Sequence, residues 1–140
     1  ISEHNEKERE KTSPYHFAYF VLTDERPHLY ANIDKRVDLM IEQGLVDEVQ
    51  KLKNMGFHRD MVSMQGLGYK EILDYLDGKT TLEEAIYIIK RETRHFAKRQ
   101  LTWFRRERDV IWLDKQVYDY QDAKILDSMI NILKEKTIIN

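Results

Sequence analysis

Two short apolar segments, 15–22 and 110–114, are the strand candidates of this sequence. Both are rich in aromatic or β-branched side chains and lack alternating polar residues, which is typical of strands buried on both faces of a parallel sheet. A sheet needs roughly three or more strands for independent stability, so these two cannot form a complete one. The sequence therefore predicts a mainly α-helical chain with two short β-strands, which belong to a larger parallel sheet whose remaining strands are absent from this chain.

Apolar residues recur with helical spacing through most of the remaining sequence. Helices are expected from 23 or 24 to 44, over 45–56, up to Leu76, from Thr81 to 108, and around 125–133, with a loop or short turn at 57–65. Thr81 and Glu84 have the spacing of a capping box, in which each side chain accepts the other residue's backbone N–H. This pair sets the expected start of the fourth and longest helix.

The composition indicates one compact globular core, because 41% of the 140 residues are hydrophobic and 34% are charged. Residues 1–13 are polar and are expected to lack ordered structure, and residues 14–140 are expected to form the folded part. No apolar run reaches the length of a membrane span and no secretory leader is visible, so a cytoplasmic protein without a membrane partner is expected. Cysteine is absent, and the five scattered histidines show no pair at metal-binding spacing, so no metal site is expected in this chain.

The segment 89–108 is strongly basic, with eight Lys or Arg residues and two acids in a chain whose net charge is −2. One predicted helix face carries four of these cations, namely Arg91, Arg94, Lys98 and Arg105. The opposite face includes Ile89, Trp103 and Phe104, which are expected to pack in the core. A one-sided cationic face suits a polyanion such as a nucleic-acid backbone. The alternative is an ordinary solvated helix face.

No motif for a self-sufficient active site is present. The sequence has no Walker-type phosphate loop, and Gly66 and Gly68 lack the third glycine of a dinucleotide fingerprint. Arg36 borders an apolar helix face, where it either covers apolar surface with its aliphatic stem or binds a phosphate in bidentate fashion. Spacing alone favours the first role for Arg36.

Four segments, 33–40, 44–49, 64–71 and 93–105, closely resemble the tRNA dimethylallyltransferases, the tRNA isopentenyltransferase family, in order and spacing. The resemblance extends from about residue 15 to residue 114. It implies the C-terminal part of a P-loop NTPase-like α/β core, with residues 1–13 as the polar end of a helical insertion. It also implies transfer of a dimethylallyl group from dimethylallyl diphosphate to N6 of adenosine 37 in tRNA.

The resemblance places the P-loop, the catalytic base and most of the Mg²⁺ ligands in an N-terminal half that this chain lacks, so the chain alone is expected to be inactive. The expected partners are that half and the tRNA anticodon stem-loop, and the full-length protein is expected to be a monomer. Arg36 is the implied catalytic residue, stabilising the leaving diphosphate. The implied tRNA contacts are His58, Arg59, Asp60, Met61, Val62, Ser63, Arg91, Arg94, His95, Lys98 and Arg105.

Asn32 departs from the family pattern, since many relatives have Arg there, and it leaves open whether a second cation near the diphosphate is missing. Two alternatives of other classes also remain open. One is a non-catalytic helical RNA-binding module, in which the cationic face is the whole function and Arg36 is structural. The other is a helical protein-interaction domain, whose binding would be insensitive to salt.

Overall fold

The computed structural model describes residues 6–7 and 12–140, which divide into two compact units. One unit comprises residues 24–106, and the other contains the described residues up to Thr23 together with residues 107–140. The elements, in chain order, are β1 (Tyr19–Thr23), α1 (Arg26–Glu42), α2 (Leu45–Asn54), a 3-10 turn (Val62–Met64), α3 (Tyr69–Leu76), α4 (Leu82–Phe104), β2 (Val110–Asp114) and α5 (Asp122–Glu135). The predicted fold class, a mainly helical chain with two short strands, is confirmed.

The two strands pair in parallel, as the sequence predicted, with Tyr19 opposite Val110 and Thr23 opposite Asp114. The predicted start of β1 at residue 15 is wrong. Because β2 begins at Val110, the residues before Tyr19 have no partner strand among the described residues, and Tyr15 is 78% exposed. Within this chain each strand has one buried residue, and burial of both strand faces in a larger sheet stays a prediction.

The helical unit, 24–106, has a single apolar core. Its buried members are Val37, Leu45, Val49, Met64, Ile72, Leu73, Ala85 and Ile89. They come from all four helices of the unit and from the 3-10 turn, so the chain between α2 and α3 is held by Met64, which is 2% exposed. Burial of such side chains contributes roughly 1.5–3 kcal/mol each, so this cluster is the main source of the unit's stability.

The helix ends differ slightly from those predicted, for local reasons. α1 begins at Arg26, two or three residues late, because Pro27 occupies its first turn, where the missing backbone N–H costs nothing. α1 and α2 are separated by Gly44, whose φ of 101° favours glycine. α4 ends at Phe104, within the predicted limit of residue 108, and Asp109 has a left-handed φ of 59° just before β2.

A capping box begins α4, and a single glutamate-to-backbone bond holds the start of α3. Thr81 Oγ1 accepts the Glu84 backbone N–H at 3.1 Å, and Glu84 Oε2 accepts the Thr81 backbone N–H at 3.0 Å, which confirms the predicted helix start. At α3, Glu71 Oε2 accepts the Gly68 backbone N–H at 2.8 Å. Glu71 is only 5% exposed, so its carboxylate fixes the turn before α3 from inside the unit.

The predicted polar segment 1–13 lies largely outside the described residues, and its lack of ordered structure stays a prediction. Within the described ranges, no helix is both long enough and apolar enough to cross a membrane.

Candidate nucleic-acid interface

The burial of α4 decreases along its length. Ala85 and Ile89 are its buried residues, and none of the later ones is buried. Phe96 and Trp103 are 48% and 54% exposed. The expectation that Trp103 packs in the core is therefore wrong for this chain, because the buried residues of α4 end at Ile89, residues 90–94 are half-buried, and most of the later residues are exposed.

The cations in the first part of the basic segment are paired with carboxylates. Arg91 Nε lies 3.0 Å from Glu92 Oε1, and Arg94 Nη1 lies 2.9 Å from both carboxylate oxygens of Asp34 on α1. His95 Nδ1 lies 3.8 Å from Glu92 Oε1, a favourable contact when the imidazole is protonated. Much of the predicted positive charge of this part is therefore locally neutralised.

The cations from residue 98 onward are not paired in this way. In the part of the chain that the structure describes, Lys98, Arg99, Arg105 and Arg106 are exposed and have no carboxylate within ion-pair distance. Arg99 and Arg106 were missed by the sequence reasoning, which assigned the cations to one helix face. The density of Lys and Arg in this segment could have identified them, since a helix that extends beyond the core can present cations on every side.

Exposed aromatic rings lie among these cations. The Arg99 guanidinium lies over the Phe96 ring, 5.8 Å from its centroid, and the Trp103 and Phe104 rings meet edge to face at 5.2 Å. An open cavity of about 510 Å³ is lined by His95, Lys98, Arg99, Thr102, Trp103 and Arg106. Cations interleaved with accessible rings are typical of surfaces that bind single-stranded nucleic acid, where phosphates meet the charges and bases stack.

The other predicted RNA contacts, His58 to Ser63, lie between α2 and α3 and are all exposed. This segment is ordered by its own bonds. The Met61 N–H donates to the His58 carbonyl at 3.1 Å, and the Gln65 side-chain amide donates to the Arg59 carbonyl. Val62 is 90% exposed, while its neighbour Met64 is buried, so the segment presents a fixed, open surface.

A second cleft, of about 250 Å³, brings two of the predicted segments together. Its polar lining comprises Arg59, Lys70, Glu71, Asp74, Thr80, Arg91 and Glu92. Arg59 Nε lies 3.1 Å from Asp74 Oδ1, an ion pair in which the N–H is not aimed at the oxygen, so Oδ1 makes no hydrogen bond. Lys70 was not predicted as a site residue, although it belongs to the Gly-Leu-Gly-Tyr-Lys segment.

The residue after Gly68, Tyr69, also has a defined partner. Its hydroxyl donates to Glu48 Oε1 at 2.7 Å, joining the start of α3 to α2. This hydrogen bond, with partial burial and the negative charge of Glu48, raises the pKa of Tyr69. The bond fixes one side of the turn, and Glu71 fixes the other.

Arg36 lies in the middle of α1 and is exposed. Among the described residues it has no carboxylate within ion-pair distance, and its neighbours Asn32 and Lys35 are exposed as well. The side chain is therefore available to an external anion. The role that spacing alone favoured, a stem lying over apolar surface, also leaves the guanidinium in water, so the exposure of Arg36 agrees with either role.

His28 contacts the carboxylate of Asp24, which precedes it by four residues at the start of α1. The Asp24 side chain is 6% exposed and that of His28 is 41% exposed. Within residues 6–7 and 12–140, no group of three or more His, Cys, Asp or Glu side chains could hold a metal ion.

One unit is helical and bears the cations, and the other contains two parallel strands. The chain belongs to the IPP transferase family, whose family model matches residues 1–107.

Relatives of known name agree with this membership. The chain is 61% identical over 139 residues to a tRNA dimethylallyltransferase of Lachnoclostridium phytofermentans, and 49% identical over 129 residues to one of Acetivibrio thermocellus. These alignments cover 99% and 92% of this chain, and 44% and 41% of the relatives. The chain therefore spans less than half the length of the curated relatives it matches.

Two solved structures show the same fold. A full-length tRNA isopentenylpyrophosphate transferase from Bacillus halodurans matches 96% of this chain with a TM-score of 0.78 and 46% identity. A tRNA isopentenylpyrophosphate transferase from Staphylococcus epidermidis matches 97% with a TM-score of 0.82 and 34% identity. This chain covers 45% and 43% of those chains, as expected for one part of a larger protein.

Proposed function

We propose that this chain is part of a tRNA-modifying transferase that moves a dimethylallyl group from dimethylallyl diphosphate to N6 of adenosine 37 in tRNA. The chain would supply contacts to the tRNA backbone and to the donor diphosphate. Family membership supports the reaction, because the relatives carry the name tRNA dimethylallyltransferase. The observation that carries the part played by this chain is the set of unpaired cations in the second half of α4.

Lys98, Arg99, Arg105 and Arg106 can neutralise phosphates without first losing a carboxylate partner among the described residues. Counterions released from the phosphates then drive binding, so affinity should fall steeply with salt. Arg59, Arg91, Arg94 and His95 remain proposed contacts, but each has a carboxylate nearby that competes with a phosphate. The unpaired group is therefore expected to contribute more to tRNA affinity.

Exposed aromatic rings on α4 could stack with the bases of the bound RNA. Sequence-specific RNA recognition targets unpaired loops, whose bases can be splayed out and stacked on aromatic side chains. An enzyme that modifies a base must take it out of its stack. Trp103 and Phe96 lie exposed among the cations, so a loop nucleotide held by its phosphate at Lys98 or Arg99 has a ring within reach.

In the proposed chemistry, the N6 amine attacks the allylic carbon of the donor. The carbon–oxygen bond to the diphosphate breaks, the diphosphate leaves with the electron pair, and the N6 proton passes to a base in the rest of the protein. Arg36, exposed and unpaired, would stabilise the negative charge that develops on the leaving group. By analogy with a lost oxyanion donor, such a contact contributes about 2.7–4 kcal/mol to the transition state.

Mg²⁺ is not assigned to this chain. The described residues offer no cluster of carboxylates or imidazoles that would hold it, so the P-loop half of the complete protein would provide its ligands. That half is the proposed protein partner, and the complete protein is proposed to act as a monomer in the cytoplasm on the anticodon stem-loop of tRNA.

The test uses the complete protein, labelled dimethylallyl diphosphate and an unmodified tRNA, with Arg36→Ala beside Lys35→Ala. Lys35 is the matched control because it is the adjacent cation on α1, exposed and likewise without a carboxylate partner. We expect Arg36→Ala to lower kcat and raise the KM for the donor, with tRNA affinity unchanged. Equal effects of the two substitutions, or a defect confined to tRNA binding, would refute the role of Arg36.

Prenyl transfer by the unsubstituted complete protein distinguishes the proposed transferase from a non-catalytic RNA-binding module. If the complete protein binds tRNA but transfers no dimethylallyl group, the chain serves a non-catalytic RNA-binding module. The chain by itself is expected to transfer nothing, since it contains neither a P-loop nor the base. Transfer by the purified chain of residues 1–140 would contradict that expectation.

A further inference from the structure

Two ion pairs connect α1 to α4 side by side. Arg94 Nη1 lies 2.9 Å from both oxygens of Asp34, and Lys90 Nζ lies 2.7 Å from Asp38 Oδ1. The acids are four residues apart on α1 and the cations four apart on α4, in opposite chain directions, so the helices run antiparallel. The four side chains are defined here as the α1–α4 ladder.

The ladder fixes the rotation of α1 about its own axis. At 100° per residue, Asp34, Val37 and Asp38 fall within about 100° of one another on a helix. Val37 is 3% exposed and lies in the core, and both acids lie to one side of it around the helix, in contact with α4. Packing of Val37 holds α1 against the core, and the two directed ion pairs, four residues apart on each helix, match one register of α1 against α4.

Arg36 lies about 160–200° around the helix from both acids, on the side turned away from α4. Rotation of α1 by a single position would redirect Arg36 by about 100°. α4 in turn carries the free cations that begin at Lys98, one turn after Arg94. The ladder is therefore the direct polar link between the helix with the proposed diphosphate contact and the helix with the proposed RNA contacts.

We propose that Asp34, Asp38, Lys90 and Arg94 are positioning residues, which hold Arg36 in register with the RNA-binding part of α4. This inference rests on the proposed transferase function. For Arg94 it replaces the tRNA contact that the family resemblance implied and that the proposed function above retained. In the ladder, Arg94 acts through Asp34 on α1 and leaves phosphate binding to the cations that follow it.

Burial favours this role over simple stabilisation. The side chains of Arg94 and Asp34 are 28% and 34% exposed, and those of Lys90 and Asp38 are 23% and 54% exposed. Ion pairs that are this open to water contribute little to unfolding free energy. Their directional geometry can nevertheless matter, since small displacements of a catalytic group reduce rate steeply.

The test compares Asp34→Asn, Arg94→Gln and the exchange Asp34→Arg with Arg94→Asp in the complete protein. Asp47→Asn on α2 is the matched control, because Asp47 is exposed and makes no ion pair among the described residues. Prenyl transfer is measured together with tRNA affinity at several salt concentrations and with the thermal midpoint. The parent is assayed first, so a parent without transfer activity refutes the proposed function and not the ladder.

We expect each single substitution to lower kcat by about 10- to 100-fold while tRNA affinity, its salt slope and the thermal midpoint stay near those of the parent. The exchange should restore most of the rate because it rebuilds the pair. If Arg94→Gln weakens tRNA binding and reduces the salt slope while Asp34→Asn does neither, Arg94 is an RNA contact and the positioning role is overturned. Unchanged kcat in both single variants, or a loss that follows the thermal midpoint and is not restored by the exchange, overturns it as well.

Discussion

The buried carboxylate of Glu71 accepts the backbone N–H of Gly68 at 2.8 Å, and this bond holds the turn that begins α3. Gly68 has a φ of 103° and is buried, so its N–H has no access to water if the carboxylate is lost. The turn carries Tyr69 and Lys70, which bond to α2 and line the second cleft respectively. A buried acid with a backbone partner thus determines where two polar side chains of the candidate interface are placed.

Substitution Glu71→Ala is expected to destabilise the protein by about 1–3 kcal/mol, the cost of leaving a buried donor unpaired. Urea unfolding followed by circular dichroism measures it. Glu71→Gln keeps an acceptor of the same shape and should lose less. Glu42→Ala is the control, because Glu42 is exposed and its change should stay within about 0.5 kcal/mol of zero. Equal losses for Glu71→Ala and Glu42→Ala would show that the bond contributes nothing.

The Tyr69–Glu48 bond predicts a pH dependence at the alkaline end. The pKa of Tyr69 is raised above its ordinary value of 10.0, so the folded protein holds this proton more tightly than the unfolded chain. The stabilisation is complete below the unfolded pKa and is lost as the pH rises through the raised one. Urea unfolding of Tyr69→Phe should therefore show a shallower loss of stability above pH 10 than the parent.

The control for that measurement is Tyr15→Phe, since Tyr15 is 78% exposed and precedes β1. Tyr15→Phe should show the same loss of unfolding free energy above pH 10 as the parent. An identical loss for Tyr69→Phe and the parent would mean that the Glu48 bond does not persist in solution.

The capping box of α4 provides a further prediction. Thr81→Ala removes the acceptor of the Glu84 N–H and is expected to cost about 1 kcal/mol, within the usual range for a lost N-cap. Thr81→Ser keeps the hydroxyl and should retain most of the stability. Thermal unfolding compares them, and a Ser variant no more stable than the Ala variant would argue against the cap.

Local signals in the sequence were sufficient for much of the fold. The capping residues Thr81 and Glu84 located the start of α4, and the apolar run at 110–114 predicted β2 with its observed bounds. Both depend on neighbouring residues alone. The start of β1 depends on where β2 offers a partner, which lies far away in the sequence, so the continuous apolar run from residue 15 predicted too long a strand.

The candidate site was predicted less completely. Helical periodicity found the basic segment, but it could not tell which cations meet a carboxylate on another helix, as Arg94 does with Asp34. It also assumed that an apolar face is covered along its whole length. Trp103 is exposed because the core ends earlier, and nothing in the residues around Trp103 signals where the packing partner stops.

The central claim, that this chain contacts the tRNA backbone through its unpaired cations, is tested most directly by salt titrations of tRNA binding to the complete protein. Lys98→Ala and Arg106→Ala are compared with the parent and with Lys51→Ala, an exposed lysine on α2 that is unpaired among the described residues. Each α4 substitution should weaken binding and reduce the slope of log affinity against log salt by roughly 0.7–0.9, while Lys51→Ala changes neither. Affinity and slope unchanged in both α4 variants would contradict the account.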